Sequence, residues 1–335
     1  MKHKCIIAFI VTLFLQIHLV FSQSAEVKFL IDTCISIMKQ NSVNANTVNW
    51  NEIRKNALAK AAGITDAHKL GPAIRYIYGS VNDFHGTFYY GDSSFRIEHK
   101  EPPISDSVRK EWNKGISIKT EMLESNIGYL RIPYMSTSTK EENNNKAQGL
   151  NDSLCSILEK NSKGLVLDLR LNGGGDMHLM LLGVQQLLGN GHIGSFHVKK
   201  KEDWILKDNS FFTDTTLNVN IVPKCNTNAQ DLPIVILIGP GTGSSGEFFL
   251  MPFKGRKNTV FLGSETAGYV TVIQGLRVSD SAYMLISVGY GADRNGKIYK
   301  DAIKPDIPFT SPDSFNDIRN DEKVKEAEKW LKLHF

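Results

Sequence analysis

The sequence has no Cys-x-x-Cys pair, no block of like charge, no internal repeat and, beyond residue 22, no apolar run long enough to cross a bilayer. Its four cysteines, Cys5, Cys34, Cys155 and Cys225, are widely spaced, which excludes a disulfide framework and a Cys-x-x-Cys metal site and leaves small thiols with room for one bridge. The formal charge of +4 loses Lys2 and Lys4 with the leader described below, leaving +2, too little and too evenly spread for a nucleic-acid binder. What the chain does have is apolar material: 335 residues, 41 % of them hydrophobic, exclude a disordered or fibrous protein. At roughly 150 residues per domain, that length suggests two.

Residues 1–22 read as a secretory signal. Two lysines precede an apolar run over 6–21, broken by Thr12, Gln16 and His18, and Val20-Phe21-Ser22 offers a signal-peptidase site. A membrane span needs about 20 clean apolar residues, so the expectation is a protein exported to the periplasm or beyond, without stable membrane insertion. No cysteine follows the run to carry a lipid.

From Ala25 to about Gly79 apolar residues recur at helical spacing: Phe29, Leu30, Cys34, Ile35 and Met38, then Ile53, Ala57, Leu58 and Ala61. Asn49 resembles a helix cap, and a third helix is expected over 66–78. Residues 86–119 read as short strands or a loose connection, and the Asn-rich stretch 140–146 as a loop. Beyond it the pattern becomes strand, glycine turn, helix. Strands are expected over 126–133, 164–170, 233–238 and 259–263, helices over 150–158, 177–188 and up to Phe253, and a surface helix over 321–335. This is an α/β domain whose functional loops follow the carboxyl ends of strands. The division is thus a signal over 1–22, a helical N-terminal part with connecting strands over 23–119, and a larger part over 120–335.

Two glycine turns could carry chemistry. Leu171-Asn172-Gly173-Gly174-Gly175-Asp176 can aim backbone N–H groups at an anion, or be merely a tight turn; it lacks the lysine of a phosphate-binding loop. Gly239-Pro240-Gly241-Thr242-Gly243-Ser244-Ser245-Gly246-Glu247 presents two hydroxyls where a helix starts. Ser244 there is either an activated nucleophile or an ordinary N-cap, with Glu247 completing a capping box. His85 in Asp83-Phe84-His85-Gly86 is the candidate base, with His178 its rival; His68, His99, His192 and His197 read as surface residues.

Taken in order, Asp-x-His at 83–85, Leu-Asp-Leu-Arg-x-Asn-Gly-Gly-Gly at 167–175, Ser-x-x-Glu at 244–247, Gly-x-Glu-Thr-Ala-Gly at 263–268 and Ile-Lys-Pro-Asp at 303–306 resemble the tail-specific, or C-terminal-processing, serine protease family. The likeness runs from Val81 to Ile307. It implies a core of the ClpP/crotonase type, Ser244 as nucleophile, and an oxyanion hole from the N–H groups of Ser245 and Gly174. The classical branch keeps a lysine base where this sequence has Tyr269, so the resemblance is to the tricorn-like Ser-His branch, with His85 as base. A carboxylate near the Pro-Asp motif would polarise it; of Asp301 and Asp306, Asp301 is selected. Phe84 stands where that branch has a further serine, and only about 40 residues separate His85 from the strand at Ile127, too few for a PDZ domain.

These implications give an exported serine endopeptidase acting on peptides or proteins, without cofactor or metal. A substrate strand is expected beside Glu265, Thr266, Ala267 and Gly268. Two other readings stand beside it: a silent peptide- or apolar-ligand-binding protein on the same scaffold, and a thioester hydratase of the crotonase type.

Overall fold

The computed structural model describes residues 24–100, 102–136 and 139–335; the signal read over 1–22 lies outside them. Three helices open the chain, α1 (Ala25–Asn41), α2 (Trp50–Lys60) and α3 (Gly71–Ser80). Each start has a local cause. Ser24 Oγ accepts the Val27 N–H at 3.1 Å, Asn49 Oδ1 accepts those of Asn51 and Glu52 at 3.1 and 3.3 Å, and Pro72 fills the first turn of α3, where its missing N–H would be unpaired anyway. Asp66 caps a short 3₁₀ turn instead, so α3 begins later than its expected start.

Next come β1 (Thr87–Tyr90), β2 (Ser93–Phe95), α4 (Asp106–Lys114), β3 (Lys119–Met122), β4 (Ile127–Arg131) and α5 (Lys140–Leu158). The loop expected over 140–146 is the first part of α5. Thr139 Oγ1 accepts the Glu142 N–H at 3.3 Å, Glu141 and Glu142 lie at the positive end of the helix dipole, and Asn144 turns outward to bond Asn220 rather than competing for helix backbone.

After β5 (Gly164–Asp168) and the short helices α6 (Met177–Gly183) and α7 (Gln185–Leu188) comes a meander of four strands, β6 (Gly191–His197), β7 (Lys201–Lys207), β8 (Ser210–Thr213) and β9 (Thr216–Asn220). The chain continues through β10 (Ile234–Ile238), α8 (Ser245–Leu250), β11 (Thr259–Gly263), β12 (Thr271–Arg277), β13 (Ala282–Asp293), β14 (Ile298–Tyr299), β15 (Ile307–Pro308) and α9 (Glu322–Lys332).

Six strands form one sheet in the order β15-β11-β10-β5-β4-β3, parallel except for β3. β5 and β10 are buried at every position, which is why they read as unbroken apolar runs. Their side chains alternate between two cores. Leu165, Leu167, Ile234 and Ile236 face α5, α6 and α8, while Val166, Val235 and Leu237 meet Val324, Ala327 and Leu331 of α9. That stripe of α9 is fully buried, worth about 2 kcal/mol for each Val or Leu.

The second, nine-stranded sheet is antiparallel and organised on β13, which pairs with β1, β6, β12 and β14. Helices α1–α3 pack on β1 and β13 through Leu30, Ile31, Met38, Ile74, Phe88, Met284 and Ile286. The division expected near residue 120 is therefore crossed by a sheet: β1, from the N-terminal side, is hydrogen-bonded to β13. A disulfide, Cys155–Cys225, ties α5 to the segment after β9, and Cys34 is a buried free thiol whose burial raises its pKa.

Candidate active site

The two glycine turns follow the carboxyl ends of the neighbouring strands β5 and β10. Asn172, fully buried, joins them: its carbonyl accepts the Gly243 N–H, its Oδ1 accepts the Gly174 N–H, both at 3.0 Å, and its Nδ2 donates to the Pro133 carbonyl at 3.1 Å. Just before it, Arg170 forks onto Asp168, Nε to Oδ1 at 3.0 Å and Nη2 to Oδ2 at 2.7 Å, and reaches Asp313 and Asp321 at 2.8 Å. Burial raises the Asp168 carboxyl, but Arg170 overrides it and holds the group below the usual carboxylate range. This buried cluster pins the strand end from which the first turn departs.

Ser244 has φ 50° and ψ −123°, a strained backbone for a residue with a side chain, of the kind that costs about 1–3 kcal/mol and collects at functional sites. Its Oγ points at His85 Nε2, 3.3 Å away across 159 residues of chain. Glu247 maintains the turn: Oε2 accepts the Ser244 N–H at 3.0 Å, and Oε1 accepts Thr266 Oγ1 and the Gly268 N–H at 2.5 and 2.9 Å. Burial pushes this carboxyl up to about 7 against the pull of those hydrogen bonds.

His85 stands in the turn between α3 and β1. Burial brings its pKa down to about 4, against a hydrogen bond to the Thr271 backbone that raises it, so the ring is neutral at pH 7. Its Nδ1 meets Thr271 Oγ1 at 2.9 Å, and Tyr269 lies beside it with ring centres 5.0 Å apart. Phe84 stacks on His99 with ring centres 3.7 Å apart. His178 lies in the same cleft but is paired through Nδ1 to Asp176 at 2.6 Å and makes no bond to Ser244.

Three expectations need correction. Asp301 makes no hydrogen bond to His85; it is exposed on the wall of a neighbouring cavity, and Thr271 occupies the place at Nδ1. Gly174 is no open donor, because its N–H is taken by Asn172 Oδ1. The Ser245 N–H opens α8 and, like that of Gly175, has no partner among the described residues. The Gly174 carbonyl accepts from Met135 N at 3.3 Å, so the N–H of the same trans peptide, that of Gly175, is turned the opposite way. Residues 265–268 offer no strand edge. The Thr266 N–H donates to Ile303 O, the Ala267 N–H to Thr242 O and the Gly268 N–H to Glu247, while Glu265 is exposed beside Lys304.

The edge that does face the site is β12, which among the described residues pairs only with β13. Its Thr271, Val272 and Ile273 join Met177, Phe196, Phe248, His85 and Ser244 around a cleft of about 500 Å³. Asn172, Thr271 and the β12 edge were not anticipated from the sequence as parts of the site. The β-branched run Val270-Thr271-Val272-Ile273, one residue after the Thr-Ala-Gly motif, is the signal that could have found that strand.

Fold and motif order are those of a carboxy-terminal processing peptidase. The chain belongs to peptidase family S41, whose profile matches residues 126–309. It is 34 % identical over 224 residues to the nisin-resistance protein of Lactococcus lactis subsp. lactis, covering 65 % of this chain and 65 % of that protein. It is 25 % identical over 212 residues to the carboxy-terminal processing protease CtpA of Bacillus subtilis, covering 63 % of this chain and 41 % of that one. The matches thus span less than two thirds of these relatives. Among solved structures, a lipoprotein from Streptococcus agalactiae shares the fold with a TM-score of 0.68 at 22 % identity, covering 92 % of this chain and 97 % of that one. The photosystem II D1 C-terminal processing protease does so with 0.54 at 13 % identity, covering 85 % and 94 %. No helix among the described residues is long and apolar enough to cross a membrane.

Proposed function

We propose that this protein is an exported serine endopeptidase with a core of the ClpP/crotonase type. Ser244 Oγ attacks a peptide carbonyl while His85 Nε2 takes its proton and then delivers it to the leaving amine. The N–H groups of Ser245 and Gly175 receive the developing oxyanion, each such donor being worth roughly 3 kcal/mol. The substrate lies as an added strand along β12, in place of the 265–268 segment, with a side chain in the cleft that Phe196 and Phe248 line.

The observation that carries this reading is the Ser244–His85 hydrogen bond at 3.3 Å, made from a strained backbone at the end of a parallel strand. Export is supported by the residues 1–22 and by the Cys155–Cys225 bridge, which suits an oxidising compartment. The name of the Lactococcus relative makes nisin a first peptide to offer, beside a general peptide library. The test is fluorophosphonate labelling with peptide hydrolysis by the wild type, Ser244→Ala and His85→Ala. Label on Ser244 and loss of turnover in both variants is the expected result; full turnover by Ser244→Ala, or label elsewhere, overturns the assignment.

A further inference from the structure

Behind His85 the hydrogen bonds continue in a line. His85 Nδ1 and Thr271 Oγ1 are 2.9 Å apart, Thr271 Oγ1 and Ser287 Oγ are 2.9 Å apart, and Ser287 Oγ lies 2.7 Å from Asp83 Oδ1. Four groups from three places in the chain, the turn before β1 and the strands β12 and β13, thus join the base to a carboxyl that is 3 % exposed. Among the described residues, neither hydroxyl has another partner.

Counting protons gives this line a direction. Asp83 is met only by donors: the Gly86 N–H at 2.9 Å and Ser287 Oγ on Oδ1, and the Ser287 N–H on Oδ2 at 2.8 Å, with the His85 N–H also directed to it. Burial raises this carboxyl above its usual value and the hydrogen bonds pull it back; with only donors around it, the group acts here as a carboxylate. Ser287 Oγ lies in donor geometry to both Asp83 Oδ1 at 2.7 Å and Thr271 Oγ1 at 2.9 Å; its single proton goes to the charge over the shorter contact, and the Thr271 proton turns to the Ser287 oxygen, so Thr271 Oγ1 accepts from His85. Nδ1 therefore carries the proton of the neutral ring, and Nε2 presents its lone pair to Ser244 Oγ.

We propose that Asp83 is the positioning carboxylate of this active site, acting on His85 through a two-hydroxyl relay of Ser287 and Thr271 that fixes the ring tautomer and stabilises the imidazolium. It takes the role a directly bonded carboxylate has in a Ser-His-Asp triad, one turn of chain from the base and two hydroxyls away in space. During attack, the Ser244 O–H bond breaks as the proton moves to Nε2, and the Nδ1–H stays with the ring. The relay thus moves no proton; it orients dipoles from the ring to a fixed negative charge, each bond polarising the next. This rests on the proposed reading of Ser244 and His85, but its first observable does not.

That observable is the ¹⁵N spectrum of the His85 imidazole in the full chain at pH 7. The wild type is expected to show a protonated Nδ1 and a bare Nε2, a result that needs no substrate. Thr271→Val keeps shape and strand preference but removes the side-chain acceptor at Nδ1. It is expected to mix the tautomers and lower kcat on a fluorogenic peptide about a hundredfold with little change in KM, less than the roughly 10⁴-fold cost of altering a carboxylate in direct contact with the base. Thr271→Ser, which restores the hydroxyl, should recover the Nδ1–H signal and turnover to within about fivefold of wild type. Ser287→Ala should behave like Thr271→Val. A bare Nδ1 in the wild type, an unshifted tautomer and kcat in Thr271→Val, or no rescue by serine would each overturn the relay. If the wild type shows the Nδ1–H ring but cleaves no peptide, the relay stands and the peptidase reading falls.

Discussion

Gly174 offers a decisive perturbation because its missing side chain would point at Ser244, the proposed nucleophile. A Cβ built on it would lie 2.9 Å from Ser244 Cβ and 3.2 Å from the Ser245 nitrogen, within the space between nucleophile and oxyanion donor, and the residue has φ 121°, which L side chains rarely adopt. Gly174→Ala therefore has two separable costs. The backbone strain is about 1–3 kcal/mol, read as a lower urea midpoint. Obstruction of one oxyanion donor is about 3 kcal/mol, which at 1.36 kcal/mol per decade is roughly a hundredfold in kcat. The neighbouring glycine is the control: a Cβ on Gly173 would meet only Trp112 Cζ2, at 4.0 Å, and its φ is not in the left-handed range. Gly173→Ala should keep stability to within about 0.5 kcal/mol and nearly all activity. Turnover of a fluorogenic peptide and fluorophosphonate labelling rates, measured on both variants, decide the matter. Wild-type kcat in Gly174→Ala, or equal loss in the two variants, would refute the geometry drawn for this turn.

Three further predictions follow from His85 and from the disulfide. With the His85 pKa brought down to about 4 by burial, the acid limb of kcat/KM should be centred near pH 4 and the rate level toward neutrality, since the base works only when unprotonated; a limb centred near the ordinary value of 6.5 contradicts that burial. The unfolded chain takes up this proton first as pH falls from 6.5 to 4, so the same group should lower fold stability across that window, as followed by urea unfolding at each pH. Reducing or replacing the Cys155–Cys225 pair, which closes a separation of 70 residues, should cost about 4 kcal/mol in the chain-entropy picture, and an unchanged thermal midpoint on reduction would show that it staples nothing.

How much of this was legible in the sequence depended on burial. β5, β10 and β11 announce themselves because parallel strands covered on both faces must be apolar throughout, and the glycine turns after β5 and β10 mark their carboxyl ends. The pairing of Ser244 with His85, which the fold brings to 3.3 Å, was legible through the order of several short motifs, each ambiguous by itself. The meander β6–β9 was not, because its strands are only partly buried and mix polar residues among the apolar ones, with Lys201 and Lys207 exposed on β7. β13 hides for another reason. Gly291 interrupts its apolar rhythm, and a Cβ there would meet Met251 Sδ at 2.5 Å and Phe248 at 2.7 Å, so the glycine is needed for close packing that only the folded chain reveals. Asp301 was chosen by proximity to a motif, whereas the groups behind His85 are set by sheet register: β12 and β13 run antiparallel with Ile273 opposite Ser287 and bring Thr271 within reach of it. The Asn-rich segment misled because composition favours a loop there, while one threonine cap and two glutamates suffice to start a helix.

The position of β13 along the chain also gives the protein a timetable. Synthesis delivers the chain from its N-terminus, so His85 arrives early, Ser244 much later, and the strand that supports β1, β12 and His85 arrives last of these. Until β13 has emerged and closed against β1, a chain that already carries the serine has no organised histidine to activate it. Under the proposed function, a chain built in this order is inert while it is being made, and it acquires its reactivity only when nearly all of its sheet is complete.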